Sequence, residues 1–241
     1  MPRCARVAPP GFPLHVTHRG NRRGAIFLRS GDQRRYLEIL REEAVRWRLA
    51  IWSYCLMPNH VHLLVLGVES ASLARTIGHA HRRYARTINK REGWTGHLWA
   101  NRFFSSLLDE PHAWAAVRYV ETNPVRARLV AVATDYPWSS ARAHTGKRTD
   151  RLLAPDRPFP GDVEDWSGWL TGQQDPAVLQ RLRANTTAGR PSGSSQFIRS
   201  VEARLGRRVV GRPRGGQPLG SAGTEAKPRP CARKDTSDPL Q

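Results

Sequence analysis

Long apolar runs are missing from this chain of 241 residues. None approaches the ~18 uninterrupted apolar residues that a membrane-spanning helix requires. The first twenty residues, MPRCARVAPPGFPLHVTHRG, contain no apolar segment of the length a secretory leader uses, so a cytoplasmic protein is expected. Cysteine is scarce. Cys4, Cys55 and Cys231 are odd in number, far apart and without a Cys-x-x-Cys, which excludes a disulfide framework and a zinc ribbon. No G-x-x-x-x-G-K-[ST] occurs, so no P-loop supplies energy from a nucleotide, and the acidic residues show no D-D-E-type clustering. Acids are few overall: 20 Asp and Glu face 39 Lys and Arg, a formal charge of +19. Lysine is rarer still, with four residues against 35 arginines.

The surplus of cations is not confined to a tail. Residues 1–145 carry 22 cations and 10 anions, and residues 146–241 carry 17 and 10, so both parts are basic. A polyanionic partner follows, and a phosphate backbone is the natural one. Hydrophobic content of 39% provides for one good-sized core with extensions.

Hydrophobic spacing predicts the order β-α-β-β-α-β-α. Leu14 and Val16 alternate with His15 and Thr17 in a strand ending near Gly20. Leu37, Leu40, Ala44 and Trp47 recur at helical spacing from Asp32 to about Leu49. Residues 51–66 read as a hairpin turning at Pro58-Asn59. Leu73, Ile77, Ala80, Tyr84 and Ile88 mark a helix over 71–91. A strand over 102–108 precedes a helix from Glu110 that Asn123-Pro124 halts. The expected fold is α+β: a ferredoxin-like antiparallel sheet with helices on one face. The expected domains are 10–145, a loosely packed Pro/Gly-rich extension over 146–205 with one short helix from about Ser195 to Leu205, and a disordered basic tail over 206–241.

Chemistry-bearing residues gather in two motifs. In Asn59-His60-Val61-His62, strand alternation sends His60 and His62 to one face, where two imidazoles can hold one divalent metal, or simply pack. Tyr119 and Asn123 stand four residues apart on one helix face. Tyr119 lies off the apolar stripe formed by Trp114, Val117 and Val120, whereas Tyr84 joins a core stripe, which makes Tyr119 the better nucleophile candidate. Asn123 offers an amide oxygen as a third metal ligand, or caps and turns the helix end.

The segments YCLMPNHVHLLV (54–65), GHLWANRFFSSLLD (96–109), RYVETNPVRARLV (118–130) and YPWSSARAH (136–144), with HVTHRGNRR (15–23), resemble the single-tyrosine HUH transposases, and within them the REP-associated tyrosine transposases. The resemblance spans about residues 10–145. It implies a ferredoxin-like HUH nuclease domain that cuts and rejoins single-stranded DNA at hairpin-forming, REP-like palindromes with Mg²⁺ or Mn²⁺. By position, His60 and His62 match the metal ligands, Tyr119 the nucleophile and Asn123 the polar third ligand, where insertion-sequence relatives usually carry Gln. A 5′-phosphotyrosine and a free 3′-hydroxyl are the implied products. Insertion-sequence relatives are dimers with shared sites, so both a monomer and a homodimer stay open, in a cytoplasmic, nucleoid-associated protein.

Arg19, Arg22, Arg23, Arg102, Arg126 and Arg128 are the expected phosphate-holding residues, because a guanidinium fork binds oxygens in pairs. Trp94 and Trp99 are candidates for stacking on unpaired bases, and Trp99 equally for the core. In the tail, Gly211-Arg212-Pro213-Arg214-Gly215 is similar to an AT-hook core, which adds Arg212 and Arg214 to the candidate DNA contacts. Two other readings remain open. One is a hairpin-binding protein or repressor that does not cut. The other is an RRM-like RNA binder, against which the strands lack an RNP1-type aromatic run.

Overall fold

In the computed structural model, described over residues 7–155 and 163–209, the sheet is built from β1 (Pro13–Arg19), β2 (Leu49–Met57), β3 (His60–Gly67) and β4 (Phe104–Leu107). The strands lie in the order β2-β3-β1-β4, and every pairing is antiparallel. With α1 (Asp32–Arg46) between β1 and β2, and α2 (Ser72–Glu92) between β3 and β4, this is the ferredoxin-like arrangement. No helix among the described residues is long and apolar enough to cross a membrane.

Period 2 decides what each strand shows to each face. Leu14 and Val16 of β1 and Val61, Leu63 and Val65 of β3 pack on the buried stripes of α1 and α2, which include Tyr36, Ile39, Leu40, Leu73, Ile77, Tyr84 and Ile88. The spacing rule places the α2 stripe correctly. Helix α1 stops at Arg46, short of the expected end, because Arg48 takes a positive φ of 52° and Leu49 already belongs to β2.

Helix α1 starts at Asp32, whose carboxylate accepts the backbone N–H of Leu28 and Arg29 and a two-point bridge from Arg91. Burial alone raises the carboxyl pKa, but the Arg91 and backbone hydrogen bonds outweigh it and hold the group down at about 2. The stabilisation is therefore present above the ordinary carboxylate range and is lost as pH falls towards 2. The gap in thermal midpoint between the wild type and Asp32→Asn is expected to shrink steadily between pH 5 and pH 2; a constant gap contradicts this.

Helices lie on both faces, not one. Across the second face run α3 (Glu110–Glu121), packed on β2 and β3 in a cluster with Trp52, Cys55, Met57 and Leu64, and α7 (Pro176–Ala188), packed on β4 and β1. Helix α3 begins with the Asp109 side chain accepting the His112 N–H. Its end is not a halt: Pro124 falls in the first turn of α4 (Asn123–Arg126), where its missing N–H costs nothing.

The described part of the extension, residues 146–155 and 163–205, is more helical than expected. After α5 (Ala141–His144) it forms α6 (Trp166–Thr171), α7 and α8 (Ser195–Leu205). The helix over Ser195–Leu205 agrees with the sequence; α6 and α7 do not appear in that reading. Two segments close the sheet's edges, one just before the extension and one within it. Trp138 and Ser140 pair with the backbone of Leu56 and Tyr54 in β2. Ser192 exchanges backbone bonds with Leu107 and Asp109 beside β4, and Ser106 Oγ donates to the Arg190 carbonyl at 2.6 Å. A buried carboxylate ties α6 to this frame: Glu121 accepts the Trp166 indole N–H at 2.7 Å and also bonds Ser140 and His144. The expected tail beyond residue 209, with Arg212 and Arg214, lies outside the described residues.

Candidate functional site

The second face of the sheet carries a group of rings on its central strands. His60 and His62 share that face of β3, with ring centroids 4.9 Å apart. Antiparallel register sets Arg19 opposite His60 and Thr17 opposite His62 on β1, which brings His15 to the same face one step along. The His15 and His62 rings stack 5.2 Å apart. Tyr119 of α3 meets both edge-on, 5.3 Å from His62 and 5.7 Å from His15. Imidazole pair and phenol therefore converge, and one chain supplies them all.

His60 and His62 are each anchored through Nδ1, and His15 through both nitrogens. Asn59 Nδ2 donates to the Arg23 carbonyl, which leaves its Oδ1 to accept the His60 Nδ1–H at 2.6 Å. His62 Nδ1 bonds His15 Nε2 at 3.0 Å, and His15 Nδ1 bonds Thr186 Oγ1 of α7 at 2.8 Å. All three rings are held neutral. Burial takes His15 down to about 3, burial and then Arg19 take His60 down to about 4, and burial, followed by the neighbouring His15, His60, Arg126 and Arg19, holds His62 well below the ordinary imidazole range. The nitrogens of His60 and His62 that these bonds leave unused are a pair of neutral Nε2 atoms, the donor type Mn²⁺ or another divalent transition metal accepts. Among the described residues no three His, Cys, Asp or Glu converge on one metal point. An ion here would complete its shell with an amide, water or phosphate oxygen. Asn123, the amide the sequence offered, is buried at the start of α4, just past the end of the tyrosine's helix α3 and not on it.

Tyr119 is buried at 6% exposure, contrary to a side chain that escapes the core. The buried stripe of α3 is Ala113, Ala116, Val117 and Val120, and Tyr119, one turn past Ala116, packs in the same cluster, with Arg126 and Arg183 over its ring. The Arg126 guanidinium lies 4.3 Å from its ring centroid and donates to Thr122 Oγ1 and the Tyr119 carbonyl. Arg183 of α7 donates through Nε to the phenol oxygen at 3.3 Å. Arg126 thus sits on the nucleophile candidate itself.

Arg19, Arg22 and Arg23 end β1, and Arg102 precedes β4; antiparallel pairing puts them at the same end of the sheet as His60. All four are exposed, as is Arg128 just after α4. The chain can turn there because Gly20 lacks a side chain: a Cβ would stand 2.3 Å from the Gly24 carbonyl oxygen. Trp94 is 48% exposed, as a stacking platform would be. Trp99 is not available for stacking on DNA. It is 7% exposed, stacked on His18 and His81, and its indole donates to the His81 carbonyl.

Four residues on this face carry no role in the sequence reading: His15, Asn59, Arg183 and Thr186. Period 2 along β1 already put His15 on the same face as Thr17. Nothing local marks Arg183 or Thr186, which reach the site only because α7 folds back over the sheet.

Residues 11–123 match the model of the family described as "Transposase IS200 like". No curated protein matches the chain. Among solved structures, a REP-associated tyrosine transposase bound to a REP hairpin superposes with a TM-score of 0.50 at 18% identity, covering 73% of this chain and 99% of its own. A structure described as a transposase from Deinococcus radiodurans R1 gives 0.36 at 20% identity, over 51% of this chain and 97% of its own. The fold is that of the first of these, and residues 11–123, just under half of the chain, are similar to the IS200-like transposase family.

Proposed function

We propose that this chain is a REP-associated tyrosine transposase: a metal-dependent endonuclease and strand transferase for single-stranded, hairpin-forming DNA. The observation that carries the reading is the edge-on packing of Tyr119 on His62, 5.3 Å between ring centroids, beside two histidines whose Nε2 atoms are left free for a metal. Binding alone requires neither. In this reading His60 and His62, with Asn123, hold Mg²⁺ or Mn²⁺, which when bound would draw electron density from the scissile phosphate.

The remaining work falls to the chain's own side chains. Arg183 donates to the phenol oxygen and orients it while its proton leaves to solvent. The Tyr119 oxygen then forms a bond to phosphorus while the P–O3′ bond breaks. The departing 3′ oxygen takes up a proton, giving a 5′-phosphotyrosine and a free 3′-hydroxyl. The new ester conserves the bond for rejoining, so no nucleotide is consumed. Exposed Arg19, Arg22, Arg23, Arg102 and Arg128 supply charge for the backbone around that point.

The test is incubation with end-labelled hairpin oligonucleotides and Mn²⁺. A covalent protein–DNA band that peptide mapping assigns to Tyr119 is expected, and a modified residue elsewhere overturns the assignment. Affinity for the same DNA should fall with a log–log salt slope of about −0.7 per phosphate contacted, so four to six contacts give a slope of roughly −3 to −4. A flat response contradicts phosphate-driven binding.

One observation favours a hairpin binder that does not cut. With Tyr119 at 6% exposure, a phosphate reaches the phenol only if Arg126 or α7 gives way. Tight hairpin binding with no adduct in any metal supports that alternative.

A further inference from the structure

We propose that Thr186, acting through His15, fixes which nitrogen of His62 carries the proton, and so makes α7 a positioning element of the metal site. This rests on the reading of His60 and His62 as metal ligands. It adds a relay from a helix more than fifty residues beyond the segment that matches the transposase family.

The argument is one of counting donors. The Thr186 hydroxyl has a single hydrogen, and it points at the Leu182 carbonyl one turn back, 2.7 Å away. A carbonyl only accepts, so this hydrogen is committed. At 2.8 Å from His15 Nδ1, the Thr186 oxygen must then be the acceptor, and His15 carries its proton on Nδ1. A neutral ring has one proton, which leaves His15 Nε2 as a lone pair. The 3.0 Å contact to His62 Nδ1 is a hydrogen bond only if His62 donates. His62 is thereby held with hydrogen on Nδ1 and a bare Nε2, the form in which imidazole binds a metal.

Every link is buried, so water does not substitute for any of them: His15 is 1%, His62 5% and Thr186 1% exposed. Reversing the chain sets the Thr186 and Leu182 oxygens against each other with no hydrogen between them. It would also place a hydrogen on the His62 nitrogen a cation needs. No change of charge is involved, only the choice between two neutral forms. For His60 the same choice is made locally by Asn59, within the motif itself. For His62 it is made at a distance.

Two measurements on the full-length, DNA-free protein test this. Long-range ¹H–¹⁵N spectra of histidine-labelled protein report the protonated ring nitrogen directly. Titration of Mn²⁺ by electron paramagnetic resonance reports affinity. The wild type should show His62 protonated on Nδ1. Thr186→Val keeps the shape, removes the acceptor, and should give a mixed or reversed His62 signal with Mn²⁺ binding roughly tenfold weaker. Thr186→Ser, which keeps the hydroxyl, should restore both.

A wild-type His62 protonated on Nε2 overturns the proposal without any variant, even if Thr186→Val proves too unstable to study. So does a folded Thr186→Val protein with unchanged spectrum and affinity. If the spectra behave as expected and the wild type binds no Mn²⁺, the relay stands and the metal reading fails instead.

Discussion

Tyr119→Phe should abolish the covalent adduct and lower strand cleavage by on the order of 10⁴-fold or more, the scale seen when a nucleophile is removed from an otherwise intact site. The ring is the structural part of Tyr119. It meets His15 and His62 edge-on and lies under Arg126, and Phe preserves all three contacts. Only the oxygen that Arg183 addresses is lost. Hairpin affinity is therefore expected to stay within a few-fold of the wild type. Tyr84→Phe is the matched control. Tyr84 is fully buried and donates to the Ile26 carbonyl at 2.7 Å, on the face of the sheet away from the histidines. Its loss should cost about 1 kcal/mol of stability and leave the adduct intact. An adduct that survives Tyr119→Phe and disappears in Tyr84→Phe would reverse the assignment.

Glu121→Ala should be the most destabilising single change outside the apolar core, by about 3–5 kcal/mol, because it strips one acceptor from several buried donors. Glu121 is fully buried and bonds the Trp166 indole, the Ser140 hydroxyl and His144. Without the carboxylate, the indole and hydroxyl hydrogens stay in a dry interior with nothing to receive them. For a chain of this size a loss of that order lowers the thermal midpoint by roughly 10 °C. Glu121→Gln keeps one accepting oxygen and should recover part of the difference. A midpoint within 2 °C of the wild type for Glu121→Ala would show that water enters and satisfies these groups.

Where one face of an element is apolar and the other is not, the sequence already said what the element was. The α2 stripe, the β2–β3 hairpin and the shared face of His60 and His62 all follow from periods of 3.6 and 2. Helix α7 escaped that reading because its packing is not apolar. Only Leu182 and Thr186 are buried on it, and it is held to the site by Thr186 and Arg183. A hydroxyl and a guanidinium leave no hydrophobic rhythm. Trp99, which the sequence left open between a stacking platform and the core, belongs to the core, where it closes a buried stack with His18 and His81. The burial of Tyr119 was hidden for the same reason as α7, since its covering residue Arg183 lies 64 positions away.

The strand β1 carries histidines on both of its sides, His15 towards the phenol and His18 towards Trp99. Their odd separation makes the strand a two-sided key. A single inserted or deleted residue between Pro13 and Arg19 would exchange the two sets, turning Leu14 or Val16 onto the reactive surface or His15 into the oily layer. Length in this stretch is thus constrained more tightly than the identity of any one of its apolar residues, and drift here should proceed by replacement, almost never by insertion.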